Sequence, residues 1–155
     1  GDGSGYGYGS GYGYGSGSGY GYGSGDGYGD GYGYGEKIEK AYWSKAIAYF
    51  AAKWTPEQKT ELRAAKLVGA RIAFWRSDAR GFPANGGKQL MPVAPGTVEE
   101  IAGPLKLCTR NALHATDLPR KWKGERLWVV ALYGEVADGG DKIGALKREI
   151  LGECI

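Results

Sequence analysis

Few side chains in this sequence have chemistry to offer. The 155 residues hold one histidine, His114, and two cysteines, Cys108 and Cys154. A base close in sequence to a thiol is the residue pair of nucleophilic catalysis, but a spacing of six residues fixes no geometry between His114 and Cys108. The competing reading is a histidine bonded to backbone in a loop, and no catalytic residue is assigned. The two cysteines leave two readings open: a Cys108–Cys154 disulfide in an oxidising compartment, or two buried thiols in a reducing one. One histidine and two isolated cysteines fall short of a tetrahedral zinc site, so neither a metal nor another cofactor is expected. Lys121, Lys123 and Arg126 surround Trp122 in a basic aromatic patch, to which His114 is joined as a candidate ligand residue. Nucleic acid or an anionic glycan suits such a patch, and the plainer reading is a solvated turn before a strand.

These residues stand behind a very different stretch. From residue 1 to residue 35 every odd position is glycine, eighteen in all, and every even position is Tyr, Ser or Asp. The alternation is no phosphate loop, because no Lys-Ser or Lys-Thr follows it and no strand delivers a helix N-terminus to a phosphate. The unit Gly-Tyr-Gly-Tyr-Gly-Ser occurs at 5–10, 11–16 and 19–24, with Gly17 and Ser18 inserted before the third copy. That insertion breaks a six-residue phase and would rotate the tyrosine columns of a three-fold polyproline helix. It preserves the two-residue parity of a β-strand, with one face of Tyr, Ser and Asp and one of bare glycine. Ordering a glycine costs more backbone entropy than ordering any other residue, so such a strand needs partners. Tyr6, Tyr8, Tyr12, Tyr14, Tyr20, Tyr22, Tyr28, Tyr32 and Tyr34 can supply them by stacking on copies of themselves. The rival reading is a disordered low-complexity tail. Nucleic acid is disfavoured here because the tract carries no positive charge.

Composition changes at residue 36. All three charges of the tract are acidic, so residues 36–155 carry 20 Lys and Arg against 14 Asp and Glu, a balance of +6. No apolar run reaches the roughly 18 residues of a membrane span, and no signal segment is visible. Residues 36–53 lack Gly and Pro, and Ile38, Tyr42, Ala46, Tyr49 or Phe50, and Lys53 recur at helical spacing, which predicts a helix. Thr55, Pro56 and Gln58 predict a second helix opened by a capping box and closed at Gly69, giving a helical hairpin. Strands are expected at 71–76, 98–101, 105–108 and 126–136, with 91–93 as an edge strand. The 126–136 run is apolar on both faces at 127–132 and should be central. A short helical or tight turn is expected at 111–115, and residues 143–155 read as strand or short helix. The expected class is α+β: an extended Gly/Tyr tract over 1–35, then over 36–155 a helical hairpin on a short, mostly antiparallel sheet.

One resemblance can be drawn. Gly103-Pro104-Leu105-Lys106-Leu107-Cys108, then Leu113-His114-Ala115-Thr116, Pro119, residues 128–132, Gly134-Glu135-Val136 and Asp141-Lys142 resemble an uncharacterised domain of bacterial and phage proteins. Some relatives of that kind also carry Gly-Tyr-Ser-Asp repeats before it. The resemblance implies a compact α+β fold and a bacterial or viral origin, and it implies no activity. The Leu-His-Ala-Thr segment is also faintly similar to a turn of ADP-ribosyltransferase folds, though the arginine-to-glutamate constellation of that chemistry is missing. The expectation is a self-assembling subunit of a filament or surface fibre, extracellular or on a cell surface, whose partners are copies of itself. The alternative is a small enzyme or binding module on a disordered tail.

Overall fold

The computed structural model describes residues 31–85 and 91–155, with side chains from residue 35 onward. Within them the fold is α+β, two helices with antiparallel sheets. Contacts divide the chain into two units, Gly1–Ala41 and Tyr42–Ile155. In the first, the described residues form the opening part of helix α1, Gly31–Ala51. Residues 31–35, expected to be extended, are helical. Residues 36–51 hold no Gly or Pro, and once they have formed a helix, adding residues at its end avoids the cost of nucleation. Each glycine opposes this by about 1 kcal/mol. The remainder of the expected extended tract, residues 1–30, lies outside the described residues.

The second unit has three layers. Its middle layer is a four-stranded antiparallel sheet in the order β1 (Arg71–Ser77), β4 (Arg126–Tyr133), β7 (Lys147–Glu153), β2 (Val98–Glu100). On one face lie the rest of α1 and helix α2, Pro56–Leu67. Here Ile47, Ala51, Trp54, Leu62 and Ala65 meet Phe74, Val129, Ala131 and Leu151 of the sheet. On the other face lies a small sheet in the order β3 (Leu113–Ala115), β6 (Ile143–Ala145), β5 (Ala137–Asp138). Its Ala115, Ile143 and Ala145 pack with Trp75, Trp128, Val130, Leu132 and Ile150. Strand β4 therefore alternates between two dry layers, which is why its sequence is apolar at successive positions.

The start of α2 is as expected: Thr55 Oγ1 accepts from Gln58 N–H at 3.2 Å, and Gln58 Oε1 accepts from Thr55 N–H at 2.9 Å. The helix ends before Gly69, whose φ of +79° is a conformation that glycine adopts without strain. Trp54, in the hairpin, lies against β7, where its indole N–H donates to the Glu153 carbonyl at 3.0 Å. A β-bulge where Val129 and Val130 face β7 brings Gly152 beneath that ring. A Cβ at 152 would stand 2.4 Å from Trp54 Cε2, so glycine is what lets the indole lie on the strand.

Three expectations need correction, and a fourth, left open between strand and helix, is decided for strand. Residues 105–108 form no strand, because the Thr109 hydroxyl donates to the Lys106 carbonyl and accepts from Asn111 N–H, turning the chain. The expected turn at 111–115 instead contains β3, which pairs with β6. Residues 91–93 form no strand, although Val93 is buried and its N–H donates to the Gly81 carbonyl at 2.9 Å. Finally, 143–155 is two strands, β6 and β7, which pass from the small sheet to the large one across Leu146.

Candidate functional site

His114 sits on β3 opposite Gly144. Its Nε2 accepts from the backbone N–H of Cys108 at 3.0 Å, and its carbonyl accepts from Arg148 Nη1 at 2.7 Å. Burial, with the Lys142 and Arg148 cations beside it, holds the imidazole below its ordinary value, so the neutral ring with an accepting Nε2 is the favoured form. The histidine is thus bonded to backbone, and its acceptor nitrogen holds the 107–110 turn closed. Arg148 is only 4% exposed. Its Nε and Nη2 both donate to Glu99 Oε1, and its guanidinium lies 4.7 Å from the centre of the Trp75 ring. This arginine joins edge strand β2, strand β3 and the core in one clamp.

The two cysteines are free thiols, and the candidate disulfide is not formed. They belong to different layers. Cys108 is exposed in the turn beside the small sheet, with φ +63° and its Sγ 3.9 Å from Lys142 Nζ. Cys154 packs against the helix-side cluster, where burial pushes its thiol up to about 12. The central sheet separates them.

The basic aromatic patch does not form as a single surface. Lys121 and Lys123 are exposed, but Trp122 is half-buried against the core between β4 and the small sheet. Lys123 is held through its backbone, its N–H donating to Asn85 Oδ1 at 3.2 Å. Arg126 is committed to Glu153 by two 2.8 Å hydrogen bonds and lies 4.6 Å from the centre of the Trp128 ring. His114 is remote from Arg126. It contacts Arg148 near the start of β7 while Arg126 contacts Glu153 at its end, roughly 16 Å of strand away.

Two further groupings were not foreseen. On the helix side, buried Glu149 accepts from the Tyr133 hydroxyl at 2.6 Å, and Glu61 of α2 hydrogen-bonds the same carboxyl. Burial comes first in raising Glu149 above the ordinary carboxyl value, and Glu61 adds to it. Burial and Glu149 raise the Tyr133 phenol as well. The signal for this grouping was faint: charged Arg148 and Glu149 sit in a strand whose next residues, Ile150 and Leu151, are apolar.

The second grouping is on α1. Of the residues at helical spacing, Ile38, Tyr42, Ala46, Tyr49 or Phe50, and Lys53, none is fully buried and most turn outward, with Tyr42 63% and Tyr49 65% exposed. The core takes Trp43, Ile47 and Ala51 instead, with Ile47 only 5% exposed and Trp43 edge-on to Phe74. Two apolar stripes run along one helix, and spacing alone could not rank them. A signal was present, since phenol hydroxyls favour the wet side while the side chains of Ile47 and Ala51 carry no polar atom. Of the tyrosines assigned to self-assembly, Tyr32 and Tyr34 belong to α1, and Tyr6, Tyr8, Tyr12, Tyr14, Tyr20, Tyr22 and Tyr28 lie outside the described residues.

Among the described residues no helix is long and apolar enough to cross a membrane, and no group of three or more His, Cys, Asp or Glu is placed to hold a metal ion. In comparisons with protein-family models, with curated proteins and with solved structures, nothing matches this chain.

Proposed function

We propose that this protein is a structural subunit that assembles with copies of itself through its Gly/Tyr tract, the unit Tyr42–Ile155 being carried along the resulting filament or fibre. The bacterial or phage setting follows the resemblance of residues 103–142. The observation that carries the reading is the parity of the tract: the insertion at Gly17 and Ser18 discards the six-residue phase and keeps the two-residue one. Selection for composition alone, as in a solvated tail, has no use for parity. A chain that presents all its tyrosines on one side does.

The edges of the four-stranded sheet add support, because they leave little for strand addition. Along β1, Phe74 exchanges two 2.8 Å backbone hydrogen bonds with Thr116, and Ser77 bridges to Pro83. The other edge, β2, is three residues long and carries Glu99 and Glu100. Short, covered or charged edges resist edge-to-edge pairing, which leaves this sheet poorly suited to assembly by strand addition. The test is a full-length variant in which the seven tyrosines of residues 1–30 are replaced by serine. The expected result is loss of particles by electron microscopy with an unchanged near-ultraviolet circular dichroism spectrum. Particles identical to those of the unmodified protein would overturn the reading.

A further inference from the structure

The exposed side of α1 has a chemistry of its own. Tyr42, Lys45, Tyr49 and Lys53 follow one another at spacings of three and four residues, which places them in a row along one side of the helix and its last turn. All four are exposed, and Lys53 Nζ, which donates to the Ile155 carbonyl at 3.2 Å, lies 5.3 Å from the centre of the Tyr49 ring. Residues 42–56 contain these two lysines and no Asp or Glu. The row is therefore aromatic and wholly cationic. Its complement is present in the same chain: residues 1–30 hold seven tyrosines and three aspartates, with no positive charge. Tyrosine faces attract lysine ammonium groups, aromatic rings pair edge to face, and aspartates pair with the lysines.

We propose that the outward row of α1, Tyr42, Lys45, Tyr49 and Lys53, is the seat for the Gly/Tyr tract of a second copy of this chain. The inference rests on the assembly reading above and adds a receptor to it. Symmetry favours a second copy. A tract from one subunit on the helix of the next is a head-to-tail contact between unlike surfaces, and such contacts propagate into open filaments when the rotation does not close a ring. The glycine positions of the tract leave its backbone free to approach the helix closely.

Two full-length variants with complementary defects test this. One has the seven tract tyrosines replaced by serine and keeps the helix row. The other, Tyr42→Ser with Lys45→Glu and Tyr49→Ser, keeps the tract. Each alone is expected to stay monomeric by sedimentation at concentrations where the unmodified protein assembles, and their equimolar mixture is expected to form a one-to-one complex. Lys45→Glu alone, a single surface change, is expected to raise the assembly threshold at least about tenfold, and so keeps the test open should the triple variant misfold. If the helix-row variants assemble like the unmodified protein while the tract variant does not, the seat is wrong and the tract reading stands. If both classes assemble normally, both readings fall. If each variant is monomeric and the mixture is too, docking between copies is refuted in favour of docking within one chain.

Discussion

The two sides of α1 carry similar residues to opposite ends. Inward, Trp43, Ile47 and Ala51 are packed against Phe74, Val129 and Leu151, and they fix the helix to the sheet. Outward, Tyr42 and Tyr49 are exposed, with Lys45 between them and Lys53 beyond. Aromatic content does not distinguish the two sides; the presence of a hydroxyl or ammonium tip does. Ile47 and Ala51 lose no side-chain hydrogen bond on burial and Trp43, with one indole N–H, is only partly buried, whereas Tyr and Lys keep an end in water and leave their apolar parts available to a partner. One stripe makes the fold and the other leaves it unaffected.

Three measurements test that contrast. The largest effect is expected at Ile47→Ala, which empties a filled site between the helices and the sheet and should cost about 2–5 kcal/mol in chemical denaturation. A loss below about 1 kcal/mol would show that the inner stripe does not hold the helix.

A middle effect is expected at Glu149, which meets Glu61 from α2, Tyr133 from β4 and Lys147 from its own strand. A carboxyl raised in the folded state contributes stability that is complete below its ordinary value of 4.5 and is lost as pH rises through the folded value. Glu149→Gln keeps an acceptor for Tyr133 and removes that loss. The variant should therefore gain stability over the unmodified protein between pH 4.5 and pH 8, a difference read by thermal melts at both. A difference that does not change with pH would place the carboxyl in water and detach Glu61 from it.

The smallest effect is expected at Tyr42→Ser with Tyr49→Ser, which should leave stability within about 0.5 kcal/mol of the unmodified protein. A loss comparable to that of Ile47→Ala would make the outer stripe part of the core and erase the contrast.

Much of the architecture was legible in the sequence. The capping box at Thr55 and Gln58, the stop at Gly69 and the central place of β4 all follow from local rules: a side chain bonding its own backbone, a residue tolerant of positive φ, a run with no polar face. The candidate site was less so. The basic patch joined His114 to Arg126 by residue type, but β3 and the end of β7 lie apart once the strands pair. The disulfide joined the only two cysteines, and the central sheet stands between their layers.

What the sequence determined by itself is local: where helices begin, which strand is buried on both sides, and a tract whose tyrosines share one parity. What the tertiary structure decided is which of two equally spaced stripes on α1 turned inward, which sheet β3 joined, and which charges were buried. Those choices depend on residues far away in the chain. Trp43 needs the Phe74 ring, Arg148 needs Glu99 and the His114 carbonyl, and Trp54 needs the bare backbone of Gly152. Periodicity records that a side can be buried; only the partner that arrives determines that it is.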